Sequence, residues 1–146
     1  MRLKLFIVIL FVAFSFAAKA QDATLVVISN NKGAPSTLKI DALKSVFKGE
    51  KQRWNDGTKV TIALMKTNTP VGSVTSRKIF NMSGDELRKF YFGLEFAGKG
   101  QYPNMFDTVE ELQSFVARTP GAIGIISDSG VNPGIKEIMI EGKRTL

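Results

Sequence analysis

The sequence predicts a single α/β domain in which helices flank a central sheet. Short runs rich in β-branched residues alternate along the chain with segments whose apolar residues recur at helical spacing. One run, Ala122–Ile126, contains no polar residue and follows a Pro120–Gly121 turn, a pattern typical of a strand covered on both faces. No internal repeat, low-complexity segment or linker divides the chain. Alternating strands and helices favour an α/β sandwich with at least some parallel strand pairs.

Each strand is predicted from an apolar or β-branched run bounded by turn residues. The four predicted strands are Thr24–Ser29, Lys59–Leu64, Ala122–Ile126 and Lys136–Ile140. We expect the third of these to be central and to lie beside at least one of the first two. Ala122 and Gly124 carry almost no side chain, which favours a closely packed helix over this strand; direct ligand contact is the alternative.

The helices are predicted from apolar periodicity and from capping residues. A short helix is expected from Ile40 to Phe47. Thr69 before Pro70 suits an N-cap followed by the first position of a helix. Ser83 with Glu86 forms a capping box, and Asp107 with Glu110 forms a second one by position.

The first 20 residues have the form of a secretory signal peptide. A basic start precedes an apolar run from Leu5 to Ala18, and Ala18-Lys19-Ala20 has the small-x-small form of a cleavage site. We expect cleavage after Ala20, export to the periplasm and a mature domain of residues 21–146; the alternative is an uncleaved anchor. Removal of the three basic residues of this leader would lower the net charge from +7 to +4, so an anion or an acidic partner is one interpretation and ordinary solubility the other.

The composition excludes several kinds of catalytic site. The chain contains no cysteine and no histidine, so thiolate and imidazole metal sites are absent, as are nucleophile systems that use cysteine or histidine. No paired arrangement of carboxylate, lysine or tyrosine residues is evident in the sequence. We therefore predict that the protein is not an enzyme and that it uses no metal and no cofactor.

The best candidate binding site is the predicted start of the helix that follows Thr69. The start of a helix presents free N–H groups and the positive end of the helix dipole. Hydroxyl and cationic side chains that would favour a tetrahedral oxyanion follow there: Thr69, Ser73, Thr75, Ser76 and Arg77, with Lys66 just before them. The alternative is that these hydroxyls serve only as helix caps.

Aromatic residues are concentrated between positions 90 and 106, and most are expected in the core. Phe92 and Phe96 lie outside the apolar stripe formed by Leu87, Phe90, Tyr91 and Leu94, so part of this group is expected to be exposed as an interaction patch. Trp54, which lies beside the Asn55-Asp56-Gly57 turn, is interpreted as a lid on the core.

Several segments in order resemble the periplasmic phosphate-binding proteins of ABC transporters, in particular short single-lobe relatives. The matching pieces span almost the whole mature chain: Ala42–Gly49, Trp54–Gly57, Arg77 with Phe80, Phe96–Gly100 and Pro120–Gly124. The resemblance implies one lobe of a type II periplasmic-binding-protein-like fold, with a mixed, mostly parallel sheet flanked by helices. The family's Ser-Gly-Thr-Arg phosphate motif falls on Val74-Thr75-Ser76-Arg77, where only the arginine is retained.

The resemblance implies a solute-binding role with weak binding of phosphate or a similar oxyanion, and an ABC transporter permease as a partner. The alternative function is a non-enzymatic envelope interaction module whose single lobe binds another envelope protein or a second copy of itself, because one lobe alone would expose surface that a two-lobe protein covers. We expect no nucleic-acid partner and no membrane insertion after cleavage of the leader.

Overall fold

The computed structural model describes residues 23–146, in which four helices cover a six-stranded sheet. The predicted signal peptide, residues 1–20, lies outside the described residues. In chain order the elements are β1 (Leu25–Ser29), β2 (Thr37–Leu38), α1 (Ile40–Phe47), β3 (Thr61–Met65), α2 (Pro70–Phe80), α3 (Gly84–Phe96), β4 (Asn104–Phe106), α4 (Val109–Arg118), β5 (Ala122–Ser127) and β6 (Lys136–Ile140). The strand order is β2-β6-β1-β5-β3-β4.

The sheet is mixed, as predicted. Strand β3 is parallel to β4 and β5, and β2 is parallel to β6. Strand β1 is antiparallel to both of its neighbours, β5 and β6. Three of the five pairings are therefore parallel. Strands β3, β4 and β5, which are connected along the chain by helices, all point the same way.

Strand β5 lies at the centre of the sheet, which confirms the prediction from its apolar run. It pairs with β1 on one side and with β3 on the other, and all of Ala122–Ile126 is buried. Gly124 shows why the small residues are needed: an added Cβ would lie 2.9 Å from Leu112 of α4 and 3.0 Å from the carbonyl oxygen of Ala63. The interpretation that a helix packs closely against this strand is therefore confirmed.

The face of the sheet opposite α4 is covered by α1, α2 and α3, which meet in a cluster of aromatic rings. Phe80 packs edge-on against Phe47 and Tyr91, with ring centroids 6.5 and 5.8 Å apart. The Tyr91 hydroxyl donates a hydrogen bond to the carbonyl oxygen of Phe47, and burial raises the pKa of Tyr91 well above its ordinary value. The predicted capping box at the start of α3 is present, with Ser83 and Glu86 satisfying each other's backbone N–H groups.

Trp54 is a buried lid on the core, as predicted. Its indole Nε1 donates to the carbonyl oxygen of Gly121 at 2.9 Å. A buried indole N–H needs such a partner. The bond joins the loop after α1 to the turn that begins the central strand.

Part of the aromatic group between 90 and 106 is exposed, as predicted, but most of the group was expected in the core and only Tyr91 is buried. Phe90, Tyr102 and Phe106 are half-buried. Phe92 is 59% exposed and Phe96 is 98% exposed.

The local structure differs from the sequence analysis in two respects. The short strands β2 and β4 were not predicted. The prediction that Asp107 caps α4 was wrong: Thr108 is the cap, and its hydroxyl accepts from the N–H of Glu111 at 3.2 Å. The reason is that β4 runs to Phe106 and the chain then stays extended at Thr108 (φ −127°, ψ 151°), so the helix begins one residue later. Both Asp107 and Thr108 have a glutamate three residues on, so the local pattern fits either residue.

Candidate functional site

The candidate site lies at the edge of the sheet where the parallel strands β4, β3 and β5 end. The N–H of Lys66, the residue after β3, donates to the carbonyl oxygen of Phe106 at 2.9 Å, so the ends of β3 and β4 are level. The β3–β5 register, extended to the strand ends, sets Lys66 opposite Ser127. In open α/β sheets, ligands bind outside the carboxyl ends of the parallel strands.

Helix α2 begins directly at this edge, and its first turn contains no acidic residue. Thr69 is the N-cap: its hydroxyl accepts from the N–H of Gly72 at 3.1 Å and donates to the carbonyl oxygen of Lys66 at 2.6 Å. Pro70 at the first helical position has no N–H to leave unsatisfied. The positive end of the α2 dipole therefore faces this edge without a compensating carboxylate in the same turn.

Ser73 and Arg77 are brought together by helical spacing. They are four residues apart and share one face of α2, where Nη1 of Arg77 donates to Oγ of Ser73 at 2.9 Å. Ser73 is half-buried and Arg77 is exposed. This pair offers a guanidinium beside a hydroxyl one to two turns from the start of the helix.

Thr75 and Ser76 face the core, away from the surface that carries Ser73 and Arg77. Both are buried, and Oγ1 of Thr75 donates to the carbonyl oxygen of Val71 at 2.8 Å. The Ser76 hydroxyl is fully enclosed and has no hydrogen-bond partner among residues 23–146. Because successive helical residues turn by about 100°, the five predicted site residues divide into an outward set, Thr69, Ser73 and Arg77, and an inward pair.

The cation nearest the end of β3 is paired with a carboxylate. Nζ of Lys66 lies 2.8 Å from Oδ2 of Asp107, and both side chains are substantially exposed, at 45% and 63%. Asp107 thus neutralises Lys66 instead of capping α4. An incoming anion would compete with Asp107 for this lysine, although an exposed ion pair of this kind contributes only about 0–1 kcal/mol.

The end of β5 adds hydroxyl groups that sequence reasoning did not assign to the site. Oγ of Ser127 and Oγ of Ser129 lie 3.2 Å apart. Asp128, the residue between the two serines, accepts a hydrogen bond from Nη1 of Arg144 at 2.7 Å. Glu137 accepts two more from the same guanidinium, each at 2.9 Å. These bonds raise the pKa of Arg144, and Arg144 is thereby tied to carboxylates. The only signal in the sequence is the polar run Ser127–Ser129 that follows Ile126. Its place beside Lys66 depends on the strand order.

Other kinds of site find no support within residues 23–146. No group of three or more aspartate and glutamate residues there is arranged to hold a metal ion. Over the same part of the chain, no helix is both long and apolar enough to cross a membrane.

Comparisons with known proteins identify the fold but no close relative. No family model and no curated protein sequence matches this chain. Solved structures do match. An ABC-type phosphate transport receptor from Vibrio cholerae is 13% identical with a TM-score of 0.67, over 85% of this chain and 49% of the receptor. The fold is that of one lobe of a periplasmic-binding protein.

Two further structures share this lobe. PstS from Borrelia burgdorferi is 14% identical with a TM-score of 0.64, over 83% of this chain and 48% of that protein. A putative phosphate ABC transporter substrate-binding protein from Clostridium perfringens, solved with bound phosphate, is 15% identical with a TM-score of 0.58, over 83% of this chain and 46% of that protein. The chain spans about half the length of the structures that it matches. The fold implied by the sequence resemblance is therefore confirmed.

Proposed function

We propose that this protein is an exported, non-enzymatic solute-binding protein that binds phosphate or a similar oxyanion weakly at the start of α2, for an ABC-type uptake system. The observation that carries the proposal is the uncompensated positive end of α2 at the carboxyl edge of the parallel strands. It occurs in a lobe fold shared with three structures described as phosphate receptors or PstS, one of them with phosphate bound. Export rests on the predicted signal peptide, and the periplasm is the proposed location.

The contacts at the edge explain why binding should be weak. The Thr69 hydroxyl already satisfies the N–H of Gly72, and Lys66 is already paired with Asp107. Thr75 and Ser76 are turned into the core. The ligand would bind mainly through Arg77, Ser73 and the helix dipole, on a surface open to water, where salt screens each interaction. We expect a dissociation constant of about 1 mM, which corresponds to about −4 kcal/mol.

At about 100 times their dissociation constant, phosphate and sulfate are expected to raise the melting temperature by roughly 8–16 °C. At about 100 times the dissociation constant, a ligand that binds only the folded state adds about 2.7 kcal/mol to the free energy of unfolding, and 1 kcal/mol shifts the melting temperature of a domain of this size by roughly 3–6 °C. Arg77→Ala should remove most of the shift, because a charge-assisted hydrogen bond is lost. Thermal unfolding by circular dichroism measures the effect.

The matched control is Lys143→Ala, which removes a lysine from the turn after β6 and should leave the shift unchanged. Chloride at the same ionic strength controls for screening. If phosphate and sulfate raise the melting temperature no more than chloride does, the start of α2 does not bind oxyanions and the proposal fails.

The alternative function is an envelope interaction module, and the exposure of α3 favours it. Phe92 and Phe96 are one helical turn apart on the same side of α3 and are the exposed large apolar side chains among residues 23–146. One face of Phe92 packs on Tyr102, with ring centroids 4.8 Å apart. Phe96 is almost fully accessible, so a protein partner or a second copy of this chain would bury it at no cost to the core.

We predict weak self-association through this aromatic surface, and Phe96→Ser should weaken it. Burial of a phenylalanine side chain contributes about 1.5–3 kcal/mol, so the dissociation constant of the dimer should rise roughly 10- to 150-fold. Sedimentation velocity over a range of concentrations measures the change. Lys89→Ser, on the same helix, is the control and should have little effect. If the wild-type protein stays monomeric at high concentration, the prediction of self-association is wrong and the alternative function loses this support.

A further inference from the structure

A second concave surface lies at the opposite edge of the sheet, where β3 and β4 begin. It is a cleft of about 270 Å³ that is lined by residues from three segments, 49–52, 59–62 and 98–104. The glycines that end α1 and α3 form part of its wall. This volume is just below the range of about 300–1,000 Å³ that is usual for ligand sites, so the cleft fits a small molecule. It is separate from the start of α2, because α2 begins at the other end of β3.

The cleft is positively charged and contains no acidic residue in its lining. Nζ of Lys59 donates to Oε1 of Gln101 at 2.9 Å, and Nζ of Lys51 donates to Oδ1 of Asn55 at 3.1 Å. Each ammonium group therefore binds a neutral carboxamide oxygen, and neither forms an ion pair within residues 23–146. An ammonium group has three donors, so each lysine retains two.

Gln101 is oriented as a donor toward a ligand. Because its carboxamide oxygen accepts from Lys59, its NH₂ group is left to donate. The lysine and the glutamine together present a charged donor and a neutral donor side by side. Two adjacent donors of this kind suit the two oxygens of a carboxylate.

Tyr102 forms the aromatic wall of the cleft, whose lining also includes the polar residues Gln52, Thr61 and Asn104. Tyr102 is half-buried and is held by its neighbours: its ring lies 4.8 Å from that of Phe92 and 6.0 Å from that of Tyr91. Val60, Ile62 and Pro103 complete the apolar lining. A wall of this kind favours a flat apolar group through burial and ring packing.

We propose that this cleft binds a small organic anion, namely a carboxylate carried on a flat apolar body. Lys59 and Gln101 bind the carboxylate, Lys51 adds positive potential, and Tyr102 packs against the body. The charge of the ligand satisfies lysines that form no ion pair within residues 23–146, and the body packs against the apolar part of the lining. This site does not depend on oxyanion binding at α2.

Benzoate is a suitable probe, with acetate and benzyl alcohol as partial ligands that each lack one half of the recognition. We expect benzoate to shift the backbone amide signals of residues 59–62 and 98–104 in a ¹⁵N NMR titration with a dissociation constant in the low millimolar range. Acetate and benzyl alcohol should each bind at least tenfold more weakly. Equal binding of acetate and benzoate, or shifts confined to residues 69–77, would overturn the proposal.

Variants separate this site from general attraction to a basic protein. Lys59→Met keeps the length of the side chain and removes the charge, and it should weaken benzoate binding at least fivefold. Lys99→Met is the matched control, because Lys99 lies in the same 98–104 segment, is exposed and is not among the residues that line the cleft. Equal effects of the two substitutions would show that only net charge matters. Arg77→Ala should leave benzoate binding intact, so failure of the oxyanion site and failure of this site are distinguishable.

Discussion

Gly72→Ala is expected to lower the free energy of unfolding by about 2 kcal/mol, although alanine is normally the better helix former. A Cβ at position 72 would lie 2.0 Å from the carbonyl oxygen of Lys66 and 2.7 Å from that of Met65. Both atoms belong to the backbone at the end of β3, so neither can move aside as a flexible side chain would. Overpacking against a fixed backbone typically costs about 1–3 kcal/mol, occasionally more, and it outweighs the gain in helix propensity of about 1 kcal/mol.

Gly93→Ala is the matched control and should change stability in the opposite direction. Gly93 lies in the interior of α3, is exposed, and has no atom within 4 Å of an added Cβ. Alanine there should stabilise the protein by about 0.5–1 kcal/mol. Urea unfolding of both variants, with the slope of the transition compared, measures the difference. If Gly72→Ala also stabilises the protein, then α2 does not approach β3 as closely as the structure has it.

The same close approach matters for the candidate site. Gly72 allows α2 to begin directly over the end of β3, which is what places Thr69 and the positive end of the helix at the sheet edge. Gly72→Ala should therefore reduce the thermal shift by phosphate as well as the stability itself.

The elements that could be predicted from the sequence are those with local signals. Helix α1 occupies the predicted residues 40–47, and β6 occupies the predicted residues 136–140. Thr69 and Ser83 cap their helices as predicted, because a cap depends only on a side chain and an amide a few residues away. Strands β2 and β4 have two and three residues and exist only through pairing with β6 and β3. No local pattern in so short a segment reveals such a pairing.

The start of α2 was predictable from the sequence, but the directions in which its side chains point were not. The capping residue and the hydroxyl-rich first turns of α2 located the start of the helix. Thr75 and Ser76 are buried because they share the face of α2 on which Val71 and Ile79 contact the core. The site residues were not assigned to separate faces of this helix from the sequence. The pairing of Lys66 with Asp107 joins residues 41 positions apart and depends on β4. The exposure of Phe92 and Phe96 was predictable, because apolar residues on two faces of one helix cannot all be buried in one core.

Ile123→Ala should lower the free energy of unfolding by about 2–5 kcal/mol, as truncation of a buried isoleucine does. Ile123 is fully buried in β5, where it lies between Ser29 of β1 and Ile62 of β3. Both neighbouring strands are fixed by pairing on either side, so they cannot close the cavity by moving together. Ile62→Ala is the control: Ile62 is only half-buried, so its truncation exposes less new cavity and should cost clearly less. Chemical denaturation of both variants measures the two losses, and an equal or smaller loss for Ile123 would be inconsistent with a central β5. Because Ile123 lies near the start of β5 and the candidate oxyanion site lies beyond its end, the thermal shift by phosphate should survive this substitution while the baseline melting temperature falls.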